Sequence, residues 1–303
     1  MIAPFDIVLP AGYRVQDVLQ FHRRDTESVA EEVTQGLIRK GVMLDGIPVV
    51  LAAPLSDRPG TIRCTADVDG DLTPALAQRI GDALHNILGL RIDPAPFLDA
   101  VRDDALLGAV ARRRPGLRIV QSATVFEALT WAIIGQQINL PFAIALRRTF
   151  ILQAGRRHSS GLWCYPEAPD AARLATEELT SRKFSRAKAD TLLRFSALVA
   201  SGELDLTPGP DNSIEHIGRA LLAVKGIGPW TVNYGLLRGY GYADCSLHGD
   251  VAIRTALQRL LGEAEKPDLA RTEALLQQYQ PHRTMAAAHL WASLASEEDR
   301  TGT

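Results

Sequence analysis

The sequence predicts an α+β protein, with a small antiparallel sheet domain carrying helices over residues 1–90 and an all-helical region over residues 91–303. Three observations lead there. Strand-like stretches gather in the first 90 residues around an Asp45-Gly46 turn, and after "RIDPAPF" one helical pattern follows another, separated by Gly, Pro and polar clusters. The third is size: 303 residues, 46% of them hydrophobic, provide for two domains with sizeable cores.

The elements follow in order. In "VMLDGIPVVLAA" two strands flank Asp45-Gly46, a two-residue turn whose positions both tolerate positive φ. Pro48 is expected to put the second strand at an edge of the sheet. Phe5–Leu9, Ser28–Ile38 and Thr61–Val68 read as further strands, while Arg14–Arg24 and Pro74–Leu88 read as helices packed on the sheet. Farther on, Thr124 with Glu127 makes a capping box for "VFEALTWAII", which stops at Gly135, and Pro141 opens the next helix. A break therefore falls on "GQQIN". Asn212 with Glu215 opens "SIEHIGRALLAV" in the same way, and its Ile214, Ile217, Leu221 and Val224 share one apolar face.

Composition narrows the function classes. No run of about 18 apolar residues occurs, and "MIAPFDIVLPAGYRVQD" lacks the basic-then-apolar layout of a signal peptide, so a cytoplasmic protein without membrane contact is expected. Cys64, Cys164 and Cys245 are too dispersed for a disulfide framework or a cysteine metal site. The formal net charge of -2 hides an asymmetry, since residues 1–90 hold twelve acidic and eight basic side chains. From Arg219 to Arg259 there are five basic residues against two acidic ones, a locally positive segment.

That segment contains "LLAVKGIGPWTVNY". Gly226 sits where a helix needs a left-handed C-terminal residue, Gly228 lets the backbone turn again, Pro229 starts a second helix, and Ile227 pins the turn to the core. The hairpin amides and the free N–H groups of the following helix point to one place, where a phosphate can accept them. A Walker loop would need Lys-Ser/Thr after its last glycine, and a dinucleotide fingerprint a preceding strand and a third glycine; neither is present. Alone, the turn also fits a plain helical corner. Downstream, Ile253, Ala256, Leu257, Leu260 and Leu261 mark a helix that begins directly after Asp250, which stands at an N-cap position. Trp230 and Tyr234 fall one helical turn apart on one face.

The hairpin followed by an aspartate resembles the helix-hairpin-helix base-excision DNA glycosylases. More narrowly, "GIGPWTVNYGLLRGY", "PHRTMAAAHLW", "ARRRPGLR" and "FEALTWAIIGQQI" are similar to segments of the 3-methyladenine DNA glycosylase II group. The resemblance is clear from Asp93 to Trp291 and weaker, by layout only, before it. It implies a helical glycosylase core in 91–303, two helical subdomains flanking a cleft, with the hairpin at 226–230. It also implies a monofunctional enzyme that hydrolyses the N-glycosidic bond of alkylated purines, acting on double-stranded DNA with damaged bases, as a monomer.

Residue by residue, the resemblance makes Asp250 the catalytic carboxylate, a base or electrostatic stabiliser beside a base rotated out of the duplex. Trp230 and Tyr234 line the base pocket, where aromatic faces can stack on an alkylated purine and attract its charge. Phe21 and His282 are assigned to the same pocket, and His282 is the proton donor open to a neutral leaving base such as hypoxanthine. Lys225, Gly226, Ile227, Gly228 and Thr231 form the DNA-binding hairpin. Gln137, after the Ile-x-Gly-Gln segment, is the wedge that fills the gap left by the flipped base. "SRKFSRAKAD" matches a family segment in a further helix pair. No metal or required cofactor is expected, though a monovalent or divalent cation at the hairpin could bridge its carbonyls to a phosphate. Two alternatives stay open: a non-catalytic helix-hairpin-helix DNA-binding protein, and an oxidised-purine glycosylase with lyase activity. The latter should carry a lysine where Trp230 stands.

Overall fold

The structure, a computed structural model, describes residues 1–56 and 60–301. The N-terminal part consists of β1 (Ile2–Leu9), α1 (Val15–His22), β2 (Glu31–Thr34), β3 (Leu37–Leu44), β4 (Ile47–Pro54), β5 (Gly60–Val68) and α2 (Pro74–Ile87). Helices α3 (Ala95–Ala100), α4 (Gly108–Arg113), α5 (Val125–Gly135) and α6 (Leu140–Ala154) follow. A short ribbon of β6 (Arg156–Arg157) and β7 (Trp163–Cys164) then leads to α7 (Ala168–Ala172), α8 (Thr176–Thr180), α9 (Arg186–Ser201) and α10 (Ile214–Leu222). Helix α11 (Pro229–Gly235) runs into a π-helical turn, Leu236–Tyr240, before α12 (Val251–Leu261), α13 (Leu269–Gln277) and α14 (Arg283–Thr301). Among the described residues no helix is long and apolar enough to cross a membrane.

The five-stranded sheet is antiparallel with strand order β1-β5-β4-β3-β2. Asp45 and Gly46 both take positive φ, 53° and 74°, and close the β3–β4 hairpin as their residue types predict. Strand β4, however, is central and not an edge. Pro48 is tolerated because the β4–β5 register begins one residue later, at Val49↔Val68, so the missing N–H interrupts no interior ladder. The cap of α10 is likewise one residue from its expected place: Ser213 accepts the His216 amide, while the Asn212 amide group donates to the Asp205 and Thr207 carbonyls. Thr124 caps α5 as expected, accepting the Glu127 amide.

Two apolar clusters form the core. The first packs Val15, Leu19, Leu76, Ile80 and Leu84 of α1 and α2 on the inner face of the sheet, with Val120 and Ala123 at its margin. The second joins Leu129, Ile133, Phe150, Leu192, Phe195, Leu221, Ile253 and Leu257 of the helices. Backbone bonds stitch the halves together: Met43 N–H to the Tyr165 carbonyl (2.9 Å) and Tyr165 N–H to the Gly41 carbonyl (3.0 Å). Only glycine fits at position 41, where a Cβ would lie 2.1 Å from the Trp163 carbonyl oxygen. A buried ionic knot fills the same junction. Lys40 pairs with Glu31 and Glu127 (2.7 Å), and Arg147 pairs with both as well (2.6 and 2.8 Å).

Candidate active site and DNA interface

A single turn joins α10 to α11. Gly226 is left-handed at φ 97°, and a Cβ there would lie 2.1 Å from Thr191 Oγ1, so backbone geometry and crowding both require glycine. Ile227 is buried while Lys225 and Gly226 are exposed, which turns the tip outward as the apolar pinning residue predicts. Gly228 departs from expectation: it is the N-cap of α11 in extended conformation (φ -108°, ψ 176°), which any residue adopts. An added Cβ would meet nothing within 4 Å. Its use is the open space it leaves before the amides of α11, where another molecule's backbone can approach.

Asp250 caps α12. Its Oδ1 accepts the amides of Ala252 (2.9 Å) and Ile253 (3.1 Å) and the Trp291 indole N–H (3.2 Å), while Oδ2 accepts the Trp230 indole N–H (3.1 Å). Four N–H donors at a helix N-terminus favour a carboxylate that accepts and stabilises positive charge. Trp230 stacks on Tyr234 with ring centroids 5.1 Å apart, and Tyr234 lies 6.3 Å from Trp291 at a tilt.

These groups open onto a cleft of about 1460 Å³. The hairpin, Trp230, Tyr234, Asp250 and Trp291 form one wall. Phe21, Arg24, Arg114 and Trp131 line the cleft too, as does the turn from Gln136 to Asn139. Gln137 is exposed there with φ 57°, a left-handed conformation uncommon for a residue other than glycine.

No family model matches the chain. It is 25% identical over 291 residues to a DNA-3-methyladenine glycosylase of Bacillus subtilis, covering 95% of this chain and 96% of the relative. A putative DNA-3-methyladenine glycosylase of the same organism, YfjP, is 31% identical over 188 residues, 62% of this chain and 65% of its own length. The solved 3-methyladenine DNA glycosylase of Archaeoglobus fulgidus superposes with a TM-score of 0.77 at 21% identity, over 95% of this chain and 97% of that one. The chain is thus similar over nearly its whole length to a DNA-3-methyladenine glycosylase and shares the fold of a solved one.

The cleft gathers Asp250, Trp230, Tyr234, Phe21, Gln137, Gly226, Ile227, Gly228 and Thr231 from the sequence-derived set. Two of the assignments change. His282 does not line the cleft: it sits at the start of α14, where its N–H meets the Tyr279 carbonyl, beside Arg283 bound to Asp244 (2.7 Å). Nine residues of helix, about 13 Å, separate it from Trp291, the residue of α14 that does reach Asp250. Thr231 is 2% exposed and its hydroxyl is engaged within the protein, accepting the Gln136 side-chain amide (2.7 Å), which also donates to the Gly226 carbonyl (3.0 Å). Thr231 ties the turn from Gln136 to Asn139 to the hairpin.

The structure also adds residues that sequence reasoning left out. Arg24 lies 3.6 Å from the centre of the Phe21 ring, and Arg238 lies 4.8 Å from the same ring and 5.7 Å from Tyr234 and Trp291. Burial alone would raise the Tyr234 phenol, but the charges of Arg238 and Arg24 outweigh it and hold the group below its ordinary value. Trp131 donates its indole N–H to that phenol (3.1 Å). Arg238 had a signal: with Trp230 and Tyr234 it continues the four-residue spacing of one helical face. Trp131 had none, being one more large residue in an apolar helix. Among the described residues no group of three or more His, Cys, Asp or Glu could hold a metal, and His248 binds Ser246 instead (2.9 Å).

Proposed function

We propose that this protein is a monofunctional DNA glycosylase that hydrolyses the N-glycosidic bond of alkylated purines, the 3-methyladenine and 7-methylguanine class, in base excision repair. The observation that carries the reading is Asp250, a carboxylate fixed by four N–H donors in an aromatic cleft that the hairpin also lines. A damaged nucleotide extruded from the duplex enters the cleft, where Trp230, Tyr234 and Trp291 give it faces to stack on. As the base–sugar bond breaks, positive charge develops on the sugar, and the Asp250 carboxylate stabilises it or aligns the attacking water.

The residue types decide the reaction class further. A lyase needs an amine to attack the sugar, and position 230 holds an indole. Lys225 precedes the hairpin and is exposed, where it suits a phosphate contact. Alkylated purines such as 7-methylguanine leave as neutral bases from a cationic nucleotide and need no proton donor. That matches a cleft whose described lining residues include no histidine. A cation bridging hairpin and phosphate would compete with two bonds already made, Arg194 to the Lys225 carbonyl (3.2 Å) and Gln136 to that of Gly226. Acting on chromosomal lesions, the enzyme works in the cytoplasm at the nucleoid, one molecule of double-stranded DNA in one monomer's cleft.

The deciding experiment incubates the protein with methylated duplex DNA and separates the released bases by chromatography. Release of methylpurines with intact strands is expected. No release would make the protein a non-catalytic DNA-binding module, and strand breaks at the lesion site without added base would make it a lyase.

A further inference from the structure

The segment "SRKFSRAKAD" contributes α9, and α9 lies beneath both DNA-facing loops. The Lys188 ammonium donates to the carbonyls of Ile133 (3.1 Å), Ile134 (2.7 Å) and Gln136 (2.9 Å), the last turn of α5 and the residue just beyond it. Three donors meet three carbonyls at the end of the helix, of which that of Ile133 also accepts the Gln136 N–H (3.4 Å). One turn farther along α9, Thr191 packs against Gly226, and after another turn Arg194 binds the Lys225 carbonyl. One stripe of α9, spaced by three residues, thus supports first the turn after α5 and then the hairpin. The Gln136 side chain closes the triangle through Gly226 and Thr231.

The consequence falls on Gln137. A left-handed backbone is strained for a residue with a Cβ and persists only where its neighbours impose it. Here the preceding carbonyl is held by Lys188 and the preceding side chain by the hairpin. We propose that Lys188 is a positioning residue for base extrusion: by fixing the Gln136 carbonyl it holds Gln137 at the tip, in register with the hairpin's grip on the phosphates. This rests on the glycosylase reading above. Burial pushes the Lys188 ammonium down to about 8, as expected of a charge placed among neutral carbonyls.

The test is a double-mutant cycle with Lys188→Met and Gln137→Ala in the full chain, read in three ways. These are affinity for an undamaged duplex, single-turnover excision of 7-methylguanine, and the fluorescence of a 2-aminopurine beside the lesion, which reports unstacking. Lys188→Met should leave undamaged-duplex affinity within about two-fold while lowering excision and the fluorescence rise about ten-fold. In the Gln137→Ala background the same substitution should cost nothing more. If Lys188→Met does not fold, Lys188→Gln, which keeps two N–H donors, takes its place in the cycle. Losses that add, excision that stays at wild-type level, or affinity and excision that fall together would each overturn the proposal. A wild-type protein that releases no base would overturn the glycosylase reading itself, which an active wild type with additive losses would leave standing.

Discussion

Two sets of carboxylates sit inside this molecule, and their partners differ. At the junction of sheet and helices, Glu31 and Glu127 lie between two cations, Lys40 and Arg147, each pairing with both, and the His22 ring is bonded to Glu31 (3.1 Å). At the cleft, Asp250 is held by two backbone amides and two indoles, donors without formal charge. The knot at the junction is neutralised where it stands and can only hold the halves together. The charge on Asp250 is oriented but not neutralised, so it is available to a positive centre that arrives from outside. Burial separates the two as well, since Glu31 and Glu127 are buried while Asp250 is half-buried in the cleft, and the formal charge of the neighbours sharpens the difference.

The largest effect should come from breaking the knot. Lys40→Met leaves two buried carboxylates with one cation between them and is expected to destabilise the protein by about 3–5 kcal/mol, measured by denaturant unfolding. Its pH counterpart follows from the carboxyls. Burial would raise both, but Lys40 and Arg147 outweigh it and hold Glu31 well below, and Glu127 below, the ordinary 4.5. Their ionisation therefore contributes stability in full above that value and loses it as the pH falls through the lower folded-state values. Thermal unfolding of the wild type should fall steeply below pH 4.5, and Glu127→Gln should flatten that slope. An equal slope in the variant would mean that the knot does not set the acid limit.

Next comes the cleft charge itself. Asp250→Asn should lower single-turnover excision by about 100-fold or more while leaving affinity for a lesion-analogue duplex within a few-fold. Parallel losses in binding and excision would reduce Asp250 to a helix cap. A smaller effect tests the neutral donors: Trp291→Phe keeps an aromatic face but removes one N–H from Oδ1, which retains two amides, so a loss of about ten-fold is expected. The smallest concerns the histidine that stays away from the cleft. His282→Ala should leave 7-methylguanine release within about two-fold of wild type between pH 6 and 8, and a change in pH slope would bring that residue back into the reaction.

The part of the site carried by local chain geometry was legible. Gly226 and Asp250 announce themselves because a left-handed turn and a helix cap have residue signatures that depend on a few neighbours. The pairing of Trp230 with Tyr234 follows from helical spacing in the same way. The rest of the lining was legible only in part: Phe21 was placed, but Arg24 and Trp131 depend on how α1 and α5 meet at the cleft, and no periodicity encodes that meeting. His282 failed for a related reason, since resemblance aligned a segment without giving the rotation of α14, which brings Trp291 inward instead. Strand order was similarly hidden. Pro48 was read as an edge signal, yet one residue of offset in register put it in a central strand.

The distribution of indoles has an optical consequence. Of the four tryptophans in the chain, Trp131, Trp230 and Trp291 line the cleft, and two of them donate their ring N–H to the Asp250 carboxylate. Excitation near the red edge of protein absorbance therefore reports mainly from the cleft, with Trp163 in β7 as the outlying background. A purine stacking there would quench or shift that emission without any attached dye. The protein thus carries its own spectroscopic reporter of occupancy, able to separate arrival of the base from cleavage of its bond in a stopped-flow trace.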